Sequence, residues 1–142
     1  MMDNNELTPV LNGEETEFYK QVADLLAAAR KYAKKQLDST IVATYYEIGR
    51  MIVEREQQGQ KRAQYGAKLI KGLSRYLTEQ YGKGFSIVNL KSIRKFYQIY
   101  APSIGQSLTA LFKLTWTHYQ ILMRVDNESA RRFYEIEAAS EQ

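Results

Sequence analysis

The chain has 142 residues, 44% hydrophobic and 25% charged, with a formal net charge of +4, the size and mix of one packed soluble domain rather than a disordered segment. It has no cysteine, which excludes disulfides, thiolate metal sites and a cysteine nucleophile. The start, Met1-Met2-Asp3-Asn4-Asn5-Glu6, lacks the basic and apolar runs of a signal peptide, and no apolar stretch is long enough to span a bilayer, so a cytoplasmic location is expected.

Residues 1–13 read as a polar, flexible leader, and residues 14–142 as a single all-α domain, compact and helical. From Glu14 to Gln57 the apolar residues Phe18, Val22, Leu25, Ala29 and Tyr32, then Ile41, Tyr45, Ile48 and Ile52, recur in steps of three and four, which predicts a buried stripe on a helix. That pattern fits one long N-terminal helix or a helix pair, because Asp38-Ser39-Thr40 can cap a fresh start and Gly49 weakens the interior. After a stop at Gln57-Gln58-Gly59-Gln60, the stretch from Arg62 to Tyr81 predicts a second helix with Tyr65, Leu69, Leu73, Tyr76 and Leu77 inward. Gly82-Lys83-Gly84-Phe85 supplies a turn, and Ser86 is placed to cap a helix that runs through Tyr100 and ends before Pro102. Residues 103–113 read as loop. Thr115 or Thr117 can cap a short helix to about Val125, and Asp126 a last one from Asn127 to Ala138.

Charge is unevenly distributed along this order. Residues 1–17 carry five acids and no base, whereas residues 57–113 carry ten bases (Lys61, Arg62, Lys68, Lys71, Arg75, Lys83, Lys91, Arg94, Lys95 and Lys113) against Glu79 alone. Such a surface attracts polyanions and repels itself when unpartnered. The same segment holds the layout helix, glycine turn, helix, which is that of a helix-turn-helix element whose second helix enters the major groove. On the second helix Leu90, Ile93, Phe96, Tyr97 and Tyr100 share one side and Lys91, Arg94, Lys95 and Gln98 the other, flanked by Asn89 and Ser92. Lys, Arg and Ser suit phosphates, while Arg, Asn and Gln suit base edges. The expected nucleic-acid contacts are therefore Lys83, Asn89, Lys91, Ser92, Arg94, Lys95 and Gln98, with Lys61, Arg62, Lys68, Lys71 and Arg75 on the backbone. On this reading, replacing Arg94 and Lys95 weakens binding and leaves the fold intact.

Sites of other chemistry are poorly supplied. His118 is the only histidine, so a catalytic dyad or histidine-rich metal site has no second member, and a structural role beside Trp116 and Tyr119 is expected. No Walker A loop, dinucleotide glycine motif or nucleophile elbow is present, and no cofactor is expected.

From Tyr45 onward the sequence resembles the N-terminal domain of the bacterial YhcG-like family, in which this domain precedes a PD-(D/E)XK nuclease domain. The resemblance is carried by Tyr46-Glu47-Ile48-Gly49-Arg50, Tyr65-Gly66, Leu73-Ser74, Gly82-Lys83-Gly84-Phe85-Ser86, Asn89-Leu90 and Arg94-Lys95-Phe96-Tyr97. It continues through Leu114-Thr115-Trp116-Thr117-His118-Tyr119, Arg124-Val125-Asp126 and Arg131-Arg132-Phe133-Tyr134-Glu135. It implies a helical DNA-binding module that brings a nuclease domain, in cis or in trans, to its substrate. The Asp/Glu-x-Lys triplet that would hold Mg²⁺ in such a nuclease has no counterpart here, so this chain is expected not to be an enzyme. Two functions remain in competition: binding of double-stranded DNA, and protein interaction or dimerisation through the near-heptad stripes of the N-terminal helix, with a homodimer compatible with both.

Overall fold

The computed structural model describes residues 13–59, 62–103 and 112–141, which hold five α-helices and no strand. They are α1 (Gly13–Gln58), α2 (Arg62–Tyr81), α3 (Ile87–Tyr100), α4 (Trp116–Leu122) and α5 (Glu128–Ser140), with a 3₁₀ turn at Ala101–Ser103. Of the expected leader over residues 1–13, all but Gly13, which opens α1, lies outside the described residues, as does most of the expected loop, 104–111. The all-α expectation holds, and the N-terminal question resolves to one helix of 46 residues. Asp38-Ser39-Thr40 lies inside α1 and does not interrupt it.

The local signals act largely as their chemistry requires. Gly82 (φ 80°) and Gly84 (φ 116°) take the left-handed conformations that let the chain reverse within five residues. Ser86 caps α3 by accepting from Asn89 N at 3.1 Å, and the Ser74 hydroxyl donates to the Phe85 carbonyl at 2.7 Å, fastening the turn to α2. Thr115, not Thr117, caps α4. Asn127 caps α5 by accepting from Ala130 N at 2.9 Å, so this helix begins one residue later than expected and Asp126 is not its cap.

The chain divides into two compact units, Met1–Gln36 and Leu37–Gln142. In the first, every described residue is exposed, including Phe18, Val22, Leu25, Ala29 and Tyr32, whose side chains were expected to be buried.

The second unit holds the core. Phe96 is fully buried at its centre, its ring 5.0 to 6.3 Å from those of Tyr46, Tyr100, Phe112, Trp116 and Tyr119. Tilted and edge-on pairs at this spacing add to what area burial provides. Leu90 and Ile93 of α3 join Ile52 and Ile70 in an adjoining aliphatic cluster. On α1 the buried residues are Val42, Ala43, Tyr46, Gly49 and Ile52, so the buried face is turned about one residue from the expected Ile41, Tyr45, Ile48 stripe. On α2 the fully buried side chain is Ile70, while Tyr76, expected inward, is exposed.

Gly49 is a packing residue. A Cβ there would lie 2.5 Å from the Ile93 carbonyl oxygen and 2.8 Å from Tyr97 Cβ, so α1 and α3 cross with almost no side chain between them. Helix propensity alone favours alanine over glycine by about 1 kcal/mol. Gly49→Ala is nonetheless expected to lower the thermal midpoint, because the blocking atom is backbone; a midpoint at or above wild type in a melting experiment would show that the crossing relaxes freely.

Candidate nucleic-acid interface

α3 is oriented by its apolar side. With Leu90, Ile93, Phe96 and Tyr100 buried, the opposite side presents Val88, Lys91, Lys95 and Gln98, all exposed. Successive intervals of three, four and three residues place these four on one stripe. Lys68, Lys71 and Arg75 form a stripe of the same kind on α2, and Lys83 projects from the glycine turn, again all exposed. None of Lys68, Lys71, Arg75, Lys83 or Lys91 pairs with a carboxylate among the described residues. Lys61 lies outside the described residues, as does the Arg62 side chain.

The remaining sequence candidates are occupied by the fold. Arg94 Nη1 lies 2.9 Å from Glu56 Oε2 of α1 in a pair that is mostly buried, at 26% and 20% side-chain exposure. Asn89 is the hub of the α3 start: its side-chain carbonyl accepts from Trp116 Nε1 at 3.3 Å and from Gln120 Nε2 at 3.2 Å, and its amide nitrogen donates to the Gly84 carbonyl. Lys95 Nζ donates to the Met123 carbonyl at 3.1 Å while its side chain stays exposed, and the Ser92 hydroxyl donates back to Val88. Arg94, expected on the free polar side, thus pairs with a carboxylate 38 residues away in sequence.

α4 adds residues that the sequence reading passed over. A groove of about 490 Å³ runs between α3 and α4, lined by Ser92, Lys95, Thr117, Gln120 and Arg124 with the apolar Val88 and Ile121 at its edges. Arg124 is exposed. Its position after a helix packed beside α3 was the available signal, hidden because residues 114–142 are acidic on average. His118 Nδ1 lies 2.9 Å from Thr115 Oγ1 in the α4 cap, in keeping with a structural role. Trp116 and Tyr119 pack on Phe96 as expected.

A second cavity, of about 530 Å³, opens between α5 and the ends of α3 and α4, and Glu135 lines it with Tyr100, Tyr119, Arg131 and Arg132. Burial pushes the Glu135 carboxyl above the usual range, against the opposing pull of Arg132, Arg131 and the Tyr119 hydroxyl. Burial, together with this carboxylate, likewise pushes both tyrosine hydroxyls up. Among the described residues no three of His, Asp and Glu are grouped as metal ligands would be, and no helix is long and apolar enough to cross a membrane.

Two outcomes follow from these geometries. Arg94→Ala is expected to cost about 1–3 kcal/mol by leaving Glu56 without its cation, whereas Lys91→Ala stays within about 0.5 kcal/mol of wild type; urea midpoints of the two variants check the difference, and equal midpoints would place Arg94 on the free face. For Glu135, a raised folded pKa means that its stabilising contribution is complete below the unfolded value of about 4.3 and is lost as pH rises through the folded one. Glu135→Gln, which lacks that loss, is expected to gain in melting temperature relative to wild type between about pH 4 and about pH 7. A gap independent of pH would show that the carboxyl is not held up by burial.

A family model described as the DUF1016 N-terminal domain matches residues 21–142. The chain is also similar to the protein named "Putative nuclease YhcG" of Escherichia coli (strain K12), 38% identical across an alignment that takes in 86% of this chain. That alignment takes in 41% of the relative, so the chain spans less than half the relative's length. No solved structure matches the chain.

Proposed function

The chain belongs to the DUF1016 N-terminal domain family, and from that membership we propose that it is the DNA-docking, non-catalytic module of a nuclease, acting in the cytoplasm through the pair α2 and α3 as a helix-turn-helix-like element. The observation that carries this reading is the set of five exposed cations Lys68, Lys71, Arg75, Lys83 and Lys91, without carboxylate partners among the described residues, in a segment whose one acid is Glu79. Concentrated unpaired charge of this kind costs self-repulsion until a polyanion neutralises it. Double-stranded DNA is the proposed partner. Lys91, Lys95 and Gln98 are offered to it by α3, Thr117 and Gln120 by α4 and Arg124 by the residues just after α4, and the α2 stripe meets phosphates. Asn89 and Arg94 act indirectly, by fixing the angle and register of α3. Strand cleavage is assigned to the nuclease domain supplied in cis or in trans.

A second reading, a dimerisation module, is favoured by the exposed apolar side chains of Phe18 to Tyr32. It is compatible with the first, since paired modules match paired half-sites.

Fluorescence anisotropy of a labelled duplex titrated with the chain is the test. With the five cations each neutralising a phosphate, affinity falls with a log–log slope of about −4.5, or roughly 500-fold between about 50 and about 200 mM salt. The triple variant Lys71→Ala, Lys83→Ala, Lys91→Ala is expected to lose most binding and much of that slope while keeping its circular dichroism. Absence of binding by the folded wild-type chain, or binding indifferent to salt, would leave the interaction module as the surviving function.

A further inference from the structure

Within the unit Met1–Gln36, Phe18, Val22, Leu25, Ala29 and Tyr32 follow one another at intervals of four, three, four and three residues. That is the spacing of a coiled-coil seam, which a partner helix fills with knobs in holes. Phe18 is 59% exposed, Leu25 72% and Tyr32 67%, with Leu26 beside the seam at 54%, a density of large apolar surface that marks an interaction face. The charges along the same segment are polarised. Glu14 and Glu17 stand at its start and Arg30, Lys31 and Lys35 at its end. Glu14 and Lys35 are three heptads apart, so they lie on the same flank of the seam.

We propose that this face is closed by a second copy of the same helix, running antiparallel about a two-fold axis at Leu25; the proposal rests on the dimerisation reading above and gives it an orientation and a register. Parallel pairing would set acidic end against acidic end and basic end against basic end, and like charges flanking a seam select against that arrangement. Antiparallel pairing sets Glu14 against the partner's Lys35, and the two-fold repeats the contact at the other end. The apolar seam has nearly the same centre. Phe18 then faces the partner's Tyr32, Val22 the partner's Ala29, and Leu25 its own copy. A face whose charges and largest apolar side chains are arranged about nearly one midpoint meets the requirement of an isologous interface, self-complementarity. An unrelated partner helix would impose no such symmetry.

The chain's lack of cysteine makes the orientation directly measurable. In sedimentation equilibrium the full chain is expected to be a dimer, and Glu14→Lys to weaken it about tenfold by turning two attractive contacts repulsive. The double variant Glu14→Lys, Lys35→Glu should restore it, and circular dichroism should show unchanged helix in all three. Under mild oxidation, Glu14→Cys and Lys35→Cys variants should each remain uncrosslinked alone and form a disulfide when mixed. Self-crosslinking of Glu14→Cys would overturn the antiparallel register while sparing the dimerisation reading. A monomer at high concentration would overturn both, and a dimer unaffected by Glu14→Lys and by Leu25→Asp would place the interface elsewhere.

Discussion

Everything the chain offers to a partner from α3 depends on where Phe96 must go. A phenyl ring surrounded by five other aromatic rings at 5.0 to 6.3 Å leaves α3 no freedom to rotate about its axis. A rotation of one residue, about 100°, would expose the ring and bury Lys95. The burial of Leu90 and Ile93 along the same side extends that constraint over the helix. The exposed stripe Val88, Lys91, Lys95, Gln98 is thus a consequence of the core, and the core is aromatic because α1, α4 and the residues before α4 each contribute a ring to the same point.

Polar chemistry supplements this packing at α3's margins. Glu56 and Arg94 tie α1 to α3, Asn89 ties the glycine turn and α3 to α4, and Lys95 reaches the last turn of α4. These contacts draw into the fold part of the polar surface that the sequence pattern assigned to the outside. A helix with six polar candidates on its outer face keeps Lys91 and Gln98 without intramolecular bonds among the described residues, shares Lys95 between the fold and solvent, bonds Ser92 to its own backbone, and commits Asn89 and Arg94 to neighbouring elements. Thr117 and Gln120 of α4, with Arg124 just beyond it, line a groove with α3.

What the sequence made legible follows the range of each signal. Ser86, Thr115, Gly82 and Gly84 act on backbone within three or four residues, and they are found doing the expected work. The apolar side of α3 was also readable, because its polar side is unambiguous. α1 was harder: Ile41, Val42, Ala43, Tyr45, Tyr46 and Ile48 are apolar around more than half the helix, so periodicity alone could not choose between neighbouring stripes, and the choice fell to Gly49, whose value lies in what approaches it. Ile70 and Tyr76 exchanged places for a similar reason, since a tyrosine among lysines satisfies a helical pattern whether it faces in or out. The bond between Glu56 and Arg94 spans 38 positions, a distance over which one sequence carries no spacing signal.

The joint at Asn89 has one more implication. Trp116 is the chain's only tryptophan, and its indole both packs edge-on against Tyr45 and Phe96 and donates to the Asn89 carbonyl. The fluorophore therefore sits at the junction of α3 and α4 beside the glycine turn, where its emission is sensitive to any change in that bond or in the local polarity. A ligand that settles in the α3–α4 groove, or that tilts the turn, perturbs the indole without touching it. The protein thus carries an intrinsic optical gauge of its own proposed contact surface.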